Sequence, residues 1–152
     1  MTTTPTPART VSVSRLIPSP PGPIFDVLAD PGRHPEIDGS GTVLAARGDS
    51  PRRLALGDRF GMSMRKGVPY RIANTVVELE PDRVIAWRHF GGHTWRYRLE
   101  PDDGGTVVTE IFDWSTSRAP RLIELLGYPR SHPPAMTRTL ERLEAVVAGD
   151  RT

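Results

Sequence analysis

The chain has 152 residues, a formal net charge of +2, no cysteine and a mean hydropathy of −0.38. The lack of cysteine excludes disulfides, a thiolate nucleophile and a cysteine-ligated metal. No apolar run approaches the roughly 20 residues that cross a bilayer, so we expect no membrane span. The basic residues are almost all arginine and leave little positive surplus, which argues against a nucleic-acid partner.

The N-terminal part predicts a lead, a strand and a short helix. Residues 1–9 lack the apolar stretch of a signal peptide, so we expect a disordered lead on a cytoplasmic protein. Residues 10–17 alternate β-branched and polar side chains as a strand does, and residues 18–30 open with the prolines typical of a helix start. We expect one domain over residues 10–148, followed by a tail at residues 149–152.

A turn-rich connector and six strands are predicted next. The connector, residues 31–41, holds His34, Glu36 and Asp38, whose spacing does not match a metal-ligand motif. No other cofactor-binding motif occurs in the chain, so we expect neither a metal nor a cofactor. The strands are predicted at residues 42–48, 59–67, 70–80, 83–90, 93–100 and 106–114.

The C-terminal region predicts a short helix at residues 119–128 and a longer one at about residues 133–148. In the longer helix Met136, Leu140 and Leu143 recur at helical spacing and form one apolar stripe. We expect this stripe to pack against the apolar face of the sheet, which gives an α+β fold with about seven strands.

Turn lengths predict which strand residues share the inner face of the sheet. Two-residue turns at Pro81-Asp82 and Gly91-Gly92 place Thr75 opposite Arg88, and Arg88 opposite Trp95. A five-residue loop at residues 101–105 then gives the remaining pairs: Tyr97 with Thr109, Trp95 with Ile111, and His93 with Asp113. The inner face would receive Leu79, Val84, Ala86, Arg88, Trp95, Tyr97, Leu99 and Ile111. Arg96 would lie beside Glu110 and Trp87 on the outer face.

This register makes Arg88, His93 and Asp113 candidates for a polar site on the inner face. A buried guanidinium needs a carboxylate, a water or a ligand, and His93 oriented by Asp113 would be a general base. Three alternatives stay open. His93 and Asp113 could form a polar rim where the sheet meets solvent. Arg88 could pair with Asp58 or Asp113 as a structural ion pair, or a bulge at Gly91-Gly92 could turn Arg88 outward.

The order of elements, with P-x-R-x-I-x-W at residues 81–87 and L-x-P-x-x-G-G-T-x-V-T at residues 99–109, resembles the START-like superfamily, also called SRPBCC. Within it, the chain is most similar to the bacterial polyketide cyclase/dehydrase and lipid-transport group. The resemblance covers residues 10–148 and implies a helix-grip fold, in which a curved antiparallel sheet wraps the C-terminal helix around an internal, mainly apolar cavity. Fold alone does not settle function in such a group.

Three functions compete. The first is binding of a hydrophobic small molecule, lipid-like or polycyclic and polyketide-like. Its candidate lining residues are Phe60, Met62, Met64, Thr75, Trp95, Ile111, Met136 and Leu140. The second is a cofactor-free polyketide cyclase/dehydratase that uses the same cavity, with His93, Arg88, Tyr97 and Asp113 as catalytic candidates. There His93 would remove a proton, Arg88 would stabilise the enolate and Tyr97 would donate to a carbonyl.

The third function is a protein-interaction module that uses the outer strip formed by Trp87 and Arg96. A homodimer is a further possible partner, and the sequence identifies neither the oligomeric state nor the ligand.

Overall fold

The structure of the protein, a computed structural model, describes residues 9–46 and 53–150. Within these ranges, seven strands form one antiparallel sheet accompanied by four α-helices. The strands are β1 (Thr10–Ile17), β2 (Val43–Ala46), β3 (Arg59–Lys66), β4 (Val68–Glu80), β5 (Val84–His89), β6 (Thr94–Asp102) and β7 (Gly105–Asp113). The helices are α1 (Pro21–Leu28), α2 (His34–Ile37), α3 (Pro120–Leu125) and α4 (Tyr128–Asp150). The predicted lead lies outside the described residues except for Arg9, as do residues 47–48 of the second predicted strand.

The sheet is a meander to which the first strand is added at one edge. Strands β2 to β7 lie side by side in chain order, and β1 pairs with β7, so that Thr10 lies opposite Asp113 and Ile17 opposite Thr106. The predicted α+β class, with about seven antiparallel strands and a long C-terminal helix, is confirmed. This is the helix-grip arrangement that the family resemblance implies.

Helix α4 packs its apolar stripe against the sheet as the periodicity predicts. Met136, Leu140 and Leu143 are at most 1% exposed. Leu140 and Leu143 join the core that α1 and the strands build, and Met136 packs with Phe112. The helix begins at Tyr128, earlier than predicted. In residues 9–46 and 53–150, no helix combines the length and apolarity of a membrane span.

The three hairpins between β4 and β7 differ in length from the prediction. Three residues join β4 to β5, because Glu80 lies opposite Val84, and Asp82 adopts a left-handed φ of 63°. Residues 90–93 lie between β5 and β6. The His89 N–H donates to the His93 carbonyl, which leaves a three-residue loop that ends at Gly92, whose φ is 100°. A left-handed residue at the end of a three-residue loop, as at Gly92, is typical of hairpins that carry a bulge at the turn.

The third hairpin is shorter than predicted. Asp102 lies opposite Gly105, so only two residues join β6 to β7. In β4, the pairing with β5 shifts between Val76 and Glu78, which leaves Val77 as an extra residue. This bulge compensates for the longer β4–β5 turn and restores Thr75 opposite Arg88, as predicted.

Because of these turns, some residues that were predicted on the inner face lie on the outer face. Leu79, Trp95, Tyr97 and Leu99 are on the inner face as predicted. Arg88 pairs with Thr94 and is exposed, so Arg88 and Trp95 lie on opposite faces and the predicted inner position of Arg88 is wrong. The same correction moves Thr75, Val84, Ala86, Ile111 and Asp113 to the outer face. Their places inside are taken by Ile85, Trp87, Glu110 and Phe112.

The outer face also differs at the strip proposed for protein interaction. Trp87 lies inside and is 8% exposed, so it cannot form an outer surface with Arg96. Arg96 is not beside Glu110; its Nε instead donates to Glu78 Oε1 at 2.7 Å. This exposed ion pair joins β4 to β6 across β5 and covers Ala86 from solvent.

Candidate functional site

A cavity of about 710 Å³ lies between the concave face of the sheet, the connector around α2 and the first half of α4. Aromatic and methionine side chains dominate its wall. From the sheet come Phe60, Met62, Met64, Trp87, Trp95, Tyr97 and Phe112, and from α4 and its approach come Ile123, Tyr128 and Met136. A volume of this size is within the range of small-molecule sites, about 300–1,000 Å³.

One aromatic cluster surrounds His34. Its ring stacks on Trp87 at 5.0 Å between centroids and meets Phe60 edge-on at 5.7 Å. His34 Nε2 lies 2.8 Å from the Leu28 carbonyl oxygen, to which it donates a hydrogen bond. Burial lowers the pKa of His34, so the ring is neutral and aromatic near pH 7. The spacing of polar residues in the connector predicts a cavity-mouth loop or a plain turn and no metal site; the structure makes His34 part of the cavity wall.

A second cluster of rings lies where the β5–β6 hairpin approaches α4. His93 stacks on His89 at 4.2 Å, and His132 stacks on Tyr128 at 5.1 Å. Phe112 lies between them, 5.4 Å from His93 and 4.5 Å from His132. Burial is the main cause that lowers the pKa of His93 and of His132 to about 4. All these imidazoles are therefore uncharged at neutral pH.

The predicted pairing of His93 with Asp113 is wrong. Asp113 lies on the outer face, and its carboxylate accepts hydrogen bonds from Ser115 N at 2.9 Å and Ser115 Oγ at 2.6 Å. His93 therefore receives no orientation from Asp113. With a pKa of about 4 it is also a weak base.

A buried carboxyl group lies in the cavity wall instead. Glu110 is 3% exposed and lies opposite Tyr97, whose hydroxyl donates to Glu110 Oε1 at 2.8 Å. Glu110 Oε2 is buried and has no hydrogen-bond partner within the described residues. Desolvation is the main cause that raises the pKa of Glu110 to about 8; the Asp38 carboxylate raises it further, and the Tyr97 hydrogen bond opposes the rise. Glu110 is therefore protonated at neutral pH.

The connector is tied firmly to α4 beside the cavity. Gly39 N donates to Thr139 Oγ1 at 2.9 Å, and Arg138 Nε donates to the Gly39 carbonyl at 2.9 Å. The Asp38 carboxylate accepts hydrogen bonds from the backbone N–H groups of Ser40, Thr42 and Val43. These bonds hold the connector as one wall of the cavity. Within residues 9–46 and 53–150, no three potential metal ligands are grouped as a site would need.

The structure brings together most, but not all, of the predicted site residues. His93, Tyr97, Phe60, Met62, Met64, Trp95 and Met136 line the cavity. Leu140 lies in the core and does not line it. Arg88, Asp113, Thr75 and Ile111 lie on the outer face of the sheet. Sequence reasoning missed Glu110, His34 and Trp87 because each depends on a register or a packing contact.

One sequence signal for Glu110 was present. Val108 and Phe112 have the same parity as Glu110 along β7, so an inner face built on them includes this glutamate. The other parity carries Val107 and Ile111, which are equally apolar. Alternation therefore did not decide between the two faces.

The chain matches the family described as polyketide cyclase / dehydrase and lipid transport over residues 8–148. It is 36% identical over 149 residues to an uncharacterized protein of Mycobacterium tuberculosis; the match covers 93% of this chain and 65% of the relative, so the chain spans less than two thirds of that protein's length.

Solved structures share the fold. A protein from Nitrosomonas europaea superposes with a TM-score of 0.73 at 16% identity, covering 94% of this chain and 96% of that one. The di-domain aromatase/cyclase StfQ from the steffimycin biosynthetic pathway superposes with a TM-score of 0.73 at 14% identity, covering 93% of this chain and 51% of that one. At such identities these two likenesses concern the fold alone. Because the family match spans nearly the whole chain and the structure has the helix-grip architecture, the chain belongs to the polyketide cyclase / dehydrase and lipid transport family.

Proposed function

We propose that the protein binds a hydrophobic small molecule, lipid-like or polycyclic, in the cavity between the sheet and α4. The observation that carries the proposal is the cavity of about 710 Å³ with a wall of aromatic and methionine side chains. Flat rings such as Trp87 and Trp95 favour stacking on a polycyclic ligand, and Met62 and Met64 adapt to irregular shapes. The family relationship supports the same class of ligand.

The charges around the cavity favour an uncharged ligand. The histidines in its wall have lowered pKa values and Glu110 has a raised one, so these groups are neutral near pH 7. Lys66 Nζ lies 4.7 Å from the centre of the Tyr128 ring, and Arg138 donates to the Gly39 carbonyl. Asp38, Lys66 and Arg138 also belong to the lining. An ionic group placed against the aromatic and methionine part of the wall would lose its hydration without meeting a counter-charge.

Filling the cavity should reduce binding of an uncharged dye. Met64 lines the cavity from β3, and a larger, rigid side chain there occupies ligand space. We expect Met64→Trp to weaken binding of Nile red by about tenfold or more, the effect of losing about 1.4 kcal/mol. Fluorescence titration of the dye against the purified protein measures this change.

The matched control for this test is Arg88→Met on the outer face. It adds an apolar side chain outside the cavity and should leave Nile red affinity within about twofold, which is less than 0.5 kcal/mol. Equal weakening by both variants, or tight binding that Met64→Trp does not change, would place the dye elsewhere and reject the cavity as its site.

A second candidate is a cofactor-free cyclase/dehydratase, and the Tyr97–Glu110 pair is the observation that favours it. A protonated carboxyl in an apolar cavity can donate to a substrate carbonyl as negative charge develops on its oxygen. Arg88 is exposed and cannot stabilise an enolate in the cavity. On this hypothesis Glu110 and Tyr97 take the electrophilic role, and His93 is the remaining candidate base.

This candidate is tested with a synthetic poly-β-ketone thioester, by mass spectrometry of cyclised and dehydrated products. If the protein is a cyclase, Glu110→Gln should lower turnover by roughly 10²-fold, the scale of weakening one transition-state donor, while Arg88→Met should match the wild type. Product formation at the rate seen without protein would exclude this substrate class and leave the binding proposal intact.

A further inference from the structure

The mostly apolar wall of the cavity includes Glu110, and one oxygen atom of this residue has no hydrogen-bond partner among the described residues. Glu110 Oε2 is buried, and no described residue offers it a hydrogen bond. A buried carboxyl oxygen left in this state costs free energy, roughly 1–3 kcal/mol. Glu110 belongs to the residues that line the cavity, so a ligand carbonyl that enters beside its carboxyl group would satisfy this atom.

The carboxyl group is held in one orientation. Tyr97 from β6 donates to Oε1, which assigns Oε1 the acceptor role and leaves Oε2 as the atom that carries the proton. Tyr97 and Glu110 lie directly opposite each other on paired strands, and Val13 of β1 lies opposite Glu110 on the other side. The strands on both sides of β7 therefore fix where the Oε2–H group lies.

The charged and titratable groups around Glu110 favour its protonated form. Asp38, from the connector, is negative and raises the pKa of Glu110, and the phenol of Tyr97 has a pKa well above 10.0 because it is buried. His34 donates to the Leu28 carbonyl, and Arg138 of α4 donates to the Gly39 carbonyl. No arginine or lysine among the described residues forms an ion pair with Glu110.

We propose that Glu110, oriented by Tyr97, is the polar anchor of the cavity and donates a hydrogen bond from Oε2–H to a carbonyl oxygen at the buried end of the ligand. The ligand class is thereby narrowed to hydrophobic molecules that carry a ketone, quinone or ester carbonyl. This inference rests on the proposed function, because it needs a ligand in the cavity. It deepens that proposal by naming the atom that recognises the ligand.

The test uses a matched pair of probes, 9-fluorenone and fluorene, which differ only in that fluorenone has a C=O group where fluorene has a CH2 group. Wild-type protein at pH 6.5 should bind fluorenone about tenfold more tightly than fluorene, the scale of one hydrogen bond from a buried donor. Glu110→Leu should reduce this ratio to about one, and Glu110→Gln, which keeps an N–H donor, should retain part of it. Arg88→Met is the control and should retain all of it.

Two further measurements exclude a merely structural role for Glu110. The infrared C=O stretching band of bound fluorenone should lie at lower frequency in the wild type than in Glu110→Leu, because a hydrogen bond weakens the carbonyl bond. The preference for fluorenone should also decline as pH rises through about 8, where Glu110 loses the proton it donates. Glu110→Gln should show no such decline.

The outcomes separate this inference from the proposed function. If both probes bind in the cavity, with equal affinity and a C=O band that Glu110→Leu does not shift, the anchor is wrong and the binding function stands. If fluorenone is preferred equally by wild type and Glu110→Leu, another donor recognises it and the inference is again overturned. If neither probe nor Nile red binds, the proposed function fails and the anchor fails with it.

Discussion

Replacing Glu110 by Gln is expected to stabilise the protein at neutral and alkaline pH, by up to about 5 kcal/mol at pH 9. The carboxyl group has a pKa of about 8 in the folded protein, against an ordinary value of 4.5 for an exposed glutamate. Between these two pH values the folded state holds a proton that the unfolded state releases. The free energy of unfolding of the wild type therefore falls as pH rises through this window, and that of the variant lacks this contribution.

Urea denaturation followed by tryptophan fluorescence between pH 4 and pH 9 measures the difference. The two proteins should be nearly equal at pH 4, where Glu110 is protonated in both states, and should diverge with increasing pH. Glu100→Gln removes a carboxylate from an exposed position and is the control; we expect it to change stability by less than about 0.5 kcal/mol. A wild type that is as stable as Glu110→Gln at pH 9 would show that Glu110 is hydrated or ionised in the folded protein.

Replacing Gly39 by Ala should cost at least about 3 kcal/mol, because the new methyl group collides with backbone that cannot move alone. A Cβ atom at Gly39 would lie 2.6 Å from Thr139 N and 2.7 Å from Arg138 Cβ, and closer still to the Ala135 carbonyl oxygen. The connector would have to withdraw from α4. That displacement breaks the Gly39–Thr139 and Arg138–Gly39 hydrogen bonds, which add to the loss.

The same variant should weaken Nile red binding, because the connector forms one wall of the cavity. Gly22→Ala is the matched control, since a Cβ atom there meets only the Asp82 carboxylate, at 4.0 Å, an ordinary contact. Thermal and urea unfolding of both variants measure the change in the free energy of unfolding. A Gly39→Ala protein as stable as Gly22→Ala would mean that the connector does not dock on α4 as the structure shows.

The strand register, and with it the inner face of the sheet, could not be predicted from the sequence. In β5, Val84 and Ala86 are as apolar as Ile85 and Trp87, so the side-chain pattern allows either face to be buried. The face then depends on turn lengths, and these depend on which residue adopts a left-handed conformation. Asp82 and Gly92 do so here and lengthen two turns by one residue each. As a result, Trp87 lies on the inner face and Arg88 on the outer face, which is the reverse of the prediction and excludes Arg88 from the site.

The stripe on α4 was predictable for the opposite reason. Met136, Leu140 and Leu143 have polar neighbours on the other sides of the helix, so only one face can be buried, and a helix needs no partner strand to define it. The order of strands and helices and the apolar strip of Phe60, Met62 and Met64 followed from similarly one-sided patterns. The family resemblance came from the order of elements and from the motifs at residues 81–87 and 99–109.

The sequence by itself therefore determined the elements and their order, because these depend on local periodicity and on one-sided patterns, and the helix-grip fold was implied by the family resemblance. Only the tertiary structure decided the polar site. Glu110 becomes a buried carboxyl because strand pairing places it opposite Tyr97, and His34 becomes an aromatic wall residue because the connector packs it on Trp87. Burial and contact are properties of the assembled sheet and helix, and they convert an ordinary glutamate and histidine into neutral groups that line a cavity.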